Sequence, residues 1–319
     1  MPLLHVVKPG LLTTIQDRGR WGFQGLGVSV AGPMDPVSHR LANAMVGNAA
    51  DDAGLEITLL GPELVFDDER LVAVAGALFE ISVDGRSMPS TGAFVVTAGA
   101  TLQFGRRLRG TRAYLAVGGG LDTARVLGSR ATHLPSAMGG IDGRALAAGD
   151  ALPCGNVARV RRPPPAALEK AASQATIGIA DGRATLRVLP GPERERFSGG
   201  ALDDLQSTVY AIGPSSNRMG FRLTGPALSH TRGADAISDA TPLGSLQVPA
   251  SGQPILLMAD RQTTGGYPKI ATVITADIGL AGQLGPGDEV AFSACSPSEA
   301  LAALIGLEQQ LMTVEAALR

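Results

Sequence analysis

The β-favouring runs of this chain are four to six residues long, and glycine, aspartate or proline bounds most of them. They include Leu71-Val-Ala-Val-Ala75, Phe79-Glu-Ile-Ser-Val83, Ala93-Phe-Val-Val-Thr97, Thr101-Leu-Gln-Phe104, Arg112-Ala-Tyr-Leu-Ala-Val117, Leu186-Arg-Val-Leu189, Ile255-Leu-Leu-Met258 and Ala271-Thr-Val-Ile-Thr275. The 42 glycines and 21 prolines are scattered without a period, which excludes collagen and low-complexity sequence and leaves frequent turns between short strands. The pattern predicts a mainly β chain of meandering sheets or barrels with few helices, α+β at most.

Two helices are legible. Asp35 is an N-cap with Pro36 at the first helical position, Val37, Leu41, Met45 and Val46 recur at helical spacing, and Gly47 closes a helix over 36–46. Near the end, Ser296-Pro-Ser-Glu299 forms a capping box ahead of an apolar stripe of Leu301, Leu304, Leu307, Leu311, Val314 and Leu318. That stripe packs on its own domain or docks on a partner protein. The segment Arg161-Arg-Pro-Pro-Pro-Ala-Ala-Leu-Glu-Lys170 reads as an exposed linker, so the domains are expected at 1–165 and 166–319.

At 319 residues the chain can bury a full core without disulfide staples. Its formal charge of -2 offers no field for polyanions, which argues against nucleic acid as a partner. Cys154 and Cys295 lie far apart, as suits a reducing compartment. The N-terminal residues lack the pattern of an export signal, and no long uncharged apolar stretch indicates a membrane span. A cytoplasmic location is expected.

Four polar clusters carry chemistry. Asp260-Arg-Gln-Thr-Thr-Gly-Gly-Tyr-Pro-Lys269 follows the apolar run Ile255–Met258, so a strand delivers charges, hydroxyls, an amide and glycine N–H groups to one sheet rim. Arg261 offers a forked cation and Lys269 a point charge for a carboxylate or phosphate, while Gly265 and Gly266 allow close approach to the main chain. A polar turn between strands fits the same residues.

The second cluster is Gln16, Asp17, Arg18 and Arg20, with Ser38-His-Arg40 beyond, on the approach to a helix N-terminus that favours anions. A local ion pair on a turn is its plain structural reading. The third, Ser215-Ser-Asn-Arg-Met-Gly-Phe-Arg222, sets Asn217 and Arg218 at a loop tip, or is a hairpin turn with Asn217 left-handed. The fourth is Gly244-Ser-Leu-Gln247 with Asp239 upstream. Gln247 and Gln262 can each read an amide by donating and accepting at once.

No phosphate-loop or dinucleotide fingerprint is present, nor a nucleophile elbow. The four histidines are dispersed and neither cysteine has a partner at ligand spacing, so no metal site is expected.

The chain resembles the second-subunit family of allophanate hydrolase, also called the biotin-dependent carboxyltransferase family. The resemblance runs from Thr13 to Phe292 and rests on Thr14-Ile-Gln-Asp-Arg-Gly-Arg20, Gly32-Pro-Met-Asp35 with Ala42-Asn43 and Val46-Gly-Asn48, Leu55-Glu56, Leu127-Gly-Ser-Arg130, Ser216-Asn-Arg-Met-Gly220, Ser245-Leu-Gln-Val-Pro249 and Asp260 to Ala271. It implies two β-barrel-like, cyclophilin-related domains and a partner from the first-subunit family. Most short stand-alone members resemble the C component of 5-oxoprolinase. By that likeness the chain is one component of an amide (lactam) hydrolase that opens 5-oxoproline to glutamate with ATP. It is then active only with a partner like the 5-oxoprolinase B component and a third oxoprolinase component.

A urea carboxylase needs an ATP-using domain and a biotin carrier lysine, and Lys8, Lys170 and Lys269 have no such setting. The chain alone is therefore expected to bind no cofactor. Ring opening of a lactam needs its carbonyl oxygen activated by phosphorylation or by pre-aimed donors, each worth about 3 kcal/mol. Arg218, Arg261, Lys269, Gly265 and Gly266 are candidates to hold the carboxylate or the phosphorylated oxygen, and Asp17 or Asp260 to orient water or a cation. Gln16, Arg18, Arg20, Arg40, Asn217, Gln247, Gln262, Thr263, Thr264 and Tyr267 complete the substrate-binding candidates.

Two other functions use the same parts. As a carboxyltransferase component the chain would stabilise the ureido oxyanion of carboxybiotin, and as a non-catalytic binder it would sequester a kinase-regulating partner. Asp17, Arg18, Asn217, Arg218, Asp260 and Lys269 are expected to converge on one cleft.

Overall fold

The computed structural model describes residues 1–157 and 182–318. The linker at 161–170 and the boundary near 165 lie outside the described residues. Contacts divide the chain into two compact units, each drawn from more than one stretch of sequence. One takes Met1–Arg20, the described residues from Ala31 to Val157 and those from Gln309 onward; the other takes Trp21–Val30 and the described residues from Gly182 to Glu308.

The first unit holds β1 (Leu3–Lys8), β2 (Leu12–Gln16), α1 (Pro36–Val46), β3 (Gly54–Thr58), β4 (Glu63–Phe66), β5 (Arg70–Val83), β6 (Arg86–Met88), β7 (Gly92–Val96), β8 (Thr101–Val117) and β9 (Ala151–Pro153). Among the described residues these strands form one sheet, ordered β2-β3-β8-β4-β1-β9, with β5 pairing β6, β7 and β8. The two longest strands correct the expectation of short runs. Leu71–Ala75 and Phe79–Val83 are parts of the single 14-residue β5, and Thr101–Phe104 and Arg112–Val117 are parts of the 17-residue β8. The glycines between them are not turns. Gly76 has φ +92° where the β5–β8 register shifts, so it bends a continuous strand as a bulge does.

Inward side chains of this sheet, among them Leu4, Leu55, Phe66, Val72, Phe79, Leu102 and Leu115, make one buried cluster. Phe79 and Phe104 meet edge to face with centroids 5.7 Å apart. Burying a Leu or Phe side chain contributes about 1.5–3 kcal/mol, so the cluster dominates the unit's stability. α1 is bounded as its sequence predicts: the Asp35 carboxylate accepts from Val37 N (3.1 Å) and Ser38 N (3.0 Å), and Gly47 ends the helix at φ +75°.

The second unit holds β10 (Arg183–Pro190), α2 (Ala201–Ser207), β11 (Val209–Ile212), β12 (Gly220–Thr224), β13 (Asp239–Ala240), β14 (Ser245–Gln247), β15 (Ile255–Leu257), β16 (Thr264–Gly265), β17 (Lys269–Val273), α3 (Ile278–Gly282) and β18 (Glu289–Ala294). Among the described residues seven strands close a barrel, β10-β17-β14-β15-β12-β11-β18, and β18 returns to β10 in parallel. Leu186, Val188, Tyr210, Phe221, Leu246, Leu256, Val290 and Phe292 are among its buried residues. β13 and β16 pair separately as a two-residue ribbon. The mainly β expectation holds.

α4 (Pro297–Leu318) begins with the predicted capping box: Glu299 Oε2 accepts from Ser296 N at 2.7 Å and Ser296 Oγ accepts from Glu299 N at 3.3 Å. By length and composition alone α4 is apolar enough to cross a membrane, although Glu299, Glu308 and Glu315 recur along it. Its stripe is unevenly covered, for Leu311 and Val314 are buried while Leu301 is exposed.

Candidate functional site

Strand alternation puts Ser245 and Gln247 on the face of β14 opposite Leu246. Gln247 stands beside Lys269, its register partner at the start of β17, where the pairing shifts by a bulge. Both are almost fully buried. The Gln262 amide donates to Gln247 Oε1 at 3.2 Å, and Gln247 Nε2 donates to the Tyr267 carbonyl at 3.4 Å. A Cβ on Gly265 would lie 2.5 Å from Gln247 Nε2. Gly265 thus makes room for the Gln247 amide of the chain itself, whereas the sequence suggested approach by a ligand.

The β13–β16 ribbon sets Asp239 opposite Gly265 and Ala240 opposite Thr264. Thr241 continues it, with its N–H on the Thr263 carbonyl, while Gly266 O accepts from Ala236 N. Asp239 is exposed, and its Oδ2 lies 3.7 Å from Lys269 Nζ. The nearer partner of Lys269 is Glu193, which takes the ammonium at 3.1 Å on Oε1 and the Lys269 backbone N–H at 3.1 Å on Oε2. One carboxylate therefore fixes both ends of this lysine. Glu193 escaped the sequence reading, because in Glu193-Arg-Glu-Arg196 the alternating charges look like a solvated turn.

Arg218 and Asp260 form a buried two-pronged pair, Nε to Oδ2 at 3.0 Å and Nη2 to Oδ1 at 2.9 Å. Asp260 N also donates to the Arg218 carbonyl, so the pair ties the β12 approach to the segment after β15. Asn217 does not take the left-handed conformation considered for it. Its Oδ1 accepts from Met219 N at 2.8 Å, an Asx turn made at negative φ. Arg261 differs from both Lys269 and Arg218. Its Nε donates to Thr241 O at 2.8 Å and its Nη1 to Met258 O at 3.4 Å, and burial lowers the guanidinium to about 10.

The remaining predicted residues belong to the first unit. Asp17 accepts from Gly19 N (2.9 Å), Ser129 Oγ (2.5 Å) and Arg130 N (2.5 Å), so its carboxylate holds the turn at 129–130. Gln16 donates to Thr14 Oγ1 and Thr132 O, both at 3.0 Å, while its Oε1 has no partner among the described residues. Arg20 is buried and donates to Ala131 O, and Arg18 is exposed. Arg40 grips Glu315 of α4, with Nη2 3.0 Å from Oε2. Glu56, named above only for the family resemblance, is a buried structural centre: it accepts from Met34 N at 2.8 Å and from Tyr114 OH at 2.7 Å. Burial, above all, raises the Tyr114 phenol well above its ordinary value, with Glu56 adding to the shift.

Within the second unit, then, sequence-distant loops bring two glutamines, a lysine and a glycine strand together, beside an arginine on Thr241. Residues 26–294 match the family described as carboxyltransferase domain, subdomain A and B. The chain belongs to this carboxyltransferase family. Among relatives, it is 38% identical over 301 residues to the C subunit of 5-oxoprolinase from Escherichia coli (strain K12), covering 94% of each chain. The Haemophilus influenzae counterpart, also a 5-oxoprolinase C subunit, is likewise 38% identical, over 90% of this chain and 89% of that one. In structure, this carboxyltransferase-family chain is similar to urea amidolyase of K. lactis, with a TM-score of 0.90, 30% identity and 98% of this chain covered. It spans only 20% of that longer protein.

Proposed function

We propose that this chain is the C-type component of a 5-oxoprolinase, a hydrolase assembly that opens 5-oxoproline to glutamate. The observation that carries the reading is 38% identity to the 5-oxoprolinase C subunit over 94% of both chains. The geometry supports it chemically. A lactam presents one N–H and one carbonyl in a fixed cis arrangement, and Gln247 and Gln262 can each accept from the first and donate to the second. Lys269, held by Glu193, supplies a positive charge beside them for an oxygen that becomes negative as the ring opens.

ATP is consumed by the assembly rather than bound by this chain alone, and the other members are a protein like the 5-oxoprolinase B component and a third oxoprolinase component. The compartment in this reading is the cytoplasm, where ATP is available. Combining the chain with both partner components, 5-oxoproline and ATP should release glutamate, and the isolated chain should release none. Glutamate release by the isolated chain would overturn the assembly requirement.

The K. lactis likeness favours a second reading, a carboxyltransferase component. Biotin, when bound, carries the carboxyl group there. Gln247 and Lys269 are the donors that suit a ureido oxygen, and the buried Ser245 Oγ, without a partner among the described residues, lies on the same strand face. Biotin-dependent carboxylation of urea by a reconstituted set, with no glutamate from 5-oxoproline, would select this reading.

A further inference from the structure

Three buried or half-buried cations lie in the polar clusters of the barrel unit, and their charges are balanced differently. Arg218 gives two prongs to Asp260. Lys269 has Glu193 at 3.1 Å and Asp239 at 3.7 Å. Arg261 has no acidic partner among the described residues. Its contacts are the Thr241 and Met258 carbonyls, and its Nη2 is neither bonded nor sealed from solvent.

Carbonyl dipoles orient a guanidinium without neutralising it. A half-buried guanidinium that has lost part of its hydration binds an added anion more strongly than an exposed one, because less water is displaced and the local dielectric is lower. Burial is the sole cause of the fall of Arg261 to about 10, as expected where no carboxylate compensates. Its main chain is also braced, since its N–H donates to Met258 O and its carbonyl accepts from Ser29 Oγ at 2.5 Å.

We infer that Arg261, and not Lys269 or Arg218, binds the anionic group of this site's ligand, and that the ligand carries a carboxylate or phosphate in addition to its amide. The residue that anchors the guanidinium, Thr241, also borders the amide-reading strip: its Oγ1 donates to Gln262 O, and a Cβ placed on Gly265 would lie 3.1 Å from its methyl. Charge reading and amide reading are therefore adjacent. Lys269, already flanked by two carboxylates, is left for the reacting oxygen. Identifying the anion as the carboxylate of 5-oxoproline rests on the proposed function; the existence of the anion site does not.

The test is calorimetric titration of the isolated chain, and of the reconstituted assembly, with 5-oxoproline and with 2-pyrrolidinone, the same lactam without its carboxylate. Acetate and inorganic phosphate serve as bare anions in parallel melting scans. We expect 5-oxoproline to bind, 2-pyrrolidinone to bind roughly 10- to 100-fold more weakly, and Arg261→Gln to erase that difference, the size expected for one charge-assisted contact. Arg261→Lys should restore part of it, and unliganded melting of both variants checks that they fold. Preference for phosphate over acetate would assign a phosphorylated ligand instead of a carboxylate.

If 5-oxoproline neither binds nor turns over while acetate or phosphate protects the native chain and not Arg261→Gln, the anion site stands and the 5-oxoprolinase reading falls. If Arg261→Gln still prefers 5-oxoproline to 2-pyrrolidinone, or if no anion affects the native chain, the assignment of Arg261 is overturned.

Discussion

Asp260 gives both carboxylate oxygens to Arg218, 42 residues earlier in the chain, and none to its neighbour Arg261. The pair is shut off from solvent, so its two charges compensate one another in place of water. Removing one partner leaves the other buried without this counter-charge. Asp260→Asn should destabilise the chain by about 3–5 kcal/mol, measured by denaturant unfolding. Replacing both by apolar residues of similar volume should cost far less than the two single changes together. If the single variant unfolds at the native midpoint, the pair is not a stability element.

Lys269 and Glu193 should separate stability from activity. Lys269→Met retains the length of the side chain but leaves the Glu193 carboxylate without its cation, so melting falls and glutamate release by the reconstituted assembly is lost. Adding Glu193→Gln should recover much of the stability and none of the activity. Recovery of both would show that Lys269 serves the fold alone.

His39 is buried, and its Nε2–H donates to the Gln16 carbonyl at 3.0 Å. Burial pushes its protonation below the ordinary value of 6.5. Between that value and the lowered one, the unfolded chain takes up a proton that the folded chain refuses. Stability from this group is full above 6.5 and declines as pH falls through the window. Thermal melting from about pH 7 to pH 5 should fall more steeply in the native chain than in His39→Gln. Parallel curves would contradict this.

The two thiols should react unequally. Cys154 is buried and burial pushes its thiol up to about 11, whereas Cys295 is partly exposed. Iodoacetamide applied to the native chain should label Cys295, and Cys154 only after denaturation, as peptide mass spectrometry would reveal. Rapid native labelling of Cys154 would mean that the sheet around β9 opens readily.

At the start of α1, Asp35→Ala removes the acceptor of two helix N–H groups and should cost about 1–2 kcal/mol in denaturant unfolding, with Asp35→Asn close to native. Equal losses in both would point to the charge rather than the cap.

Helix ends were legible because their determinants are local: Asp35, Pro36 and Gly47 lie within a few residues of the bonds they make, and so do Ser296 and Glu299. The strands were legible in kind but not in length. Gly76 and Gly105 look like turn residues in one dimension, and only the continuous β5–β8 pairing makes them interior to strands. At the site, Gln247, Gln262, Gly265 and Lys269 were visible as chemistry, but the partners that define their roles come from afar. Glu193 is 76 residues from Lys269, and Ser129 is 112 from Asp17. No spacing rule links such pairs. Asp17 attracted attention for its charge, while the structure employs it as a three-way acceptor for a turn.

The parallel seam between β10 and β18 sets an order of events at the ribosome. β18 is the only strand that joins β10 to β11 among the described residues, and it follows β10 by about a hundred residues. Until it emerges, both of those strands keep a free edge, and the barrel is an open sheet able to pair with another nascent chain. A stall before Glu289 leaves a species whose two sticky margins await the same missing strand. The last strand of the barrel is thus also the one that removes its free edges.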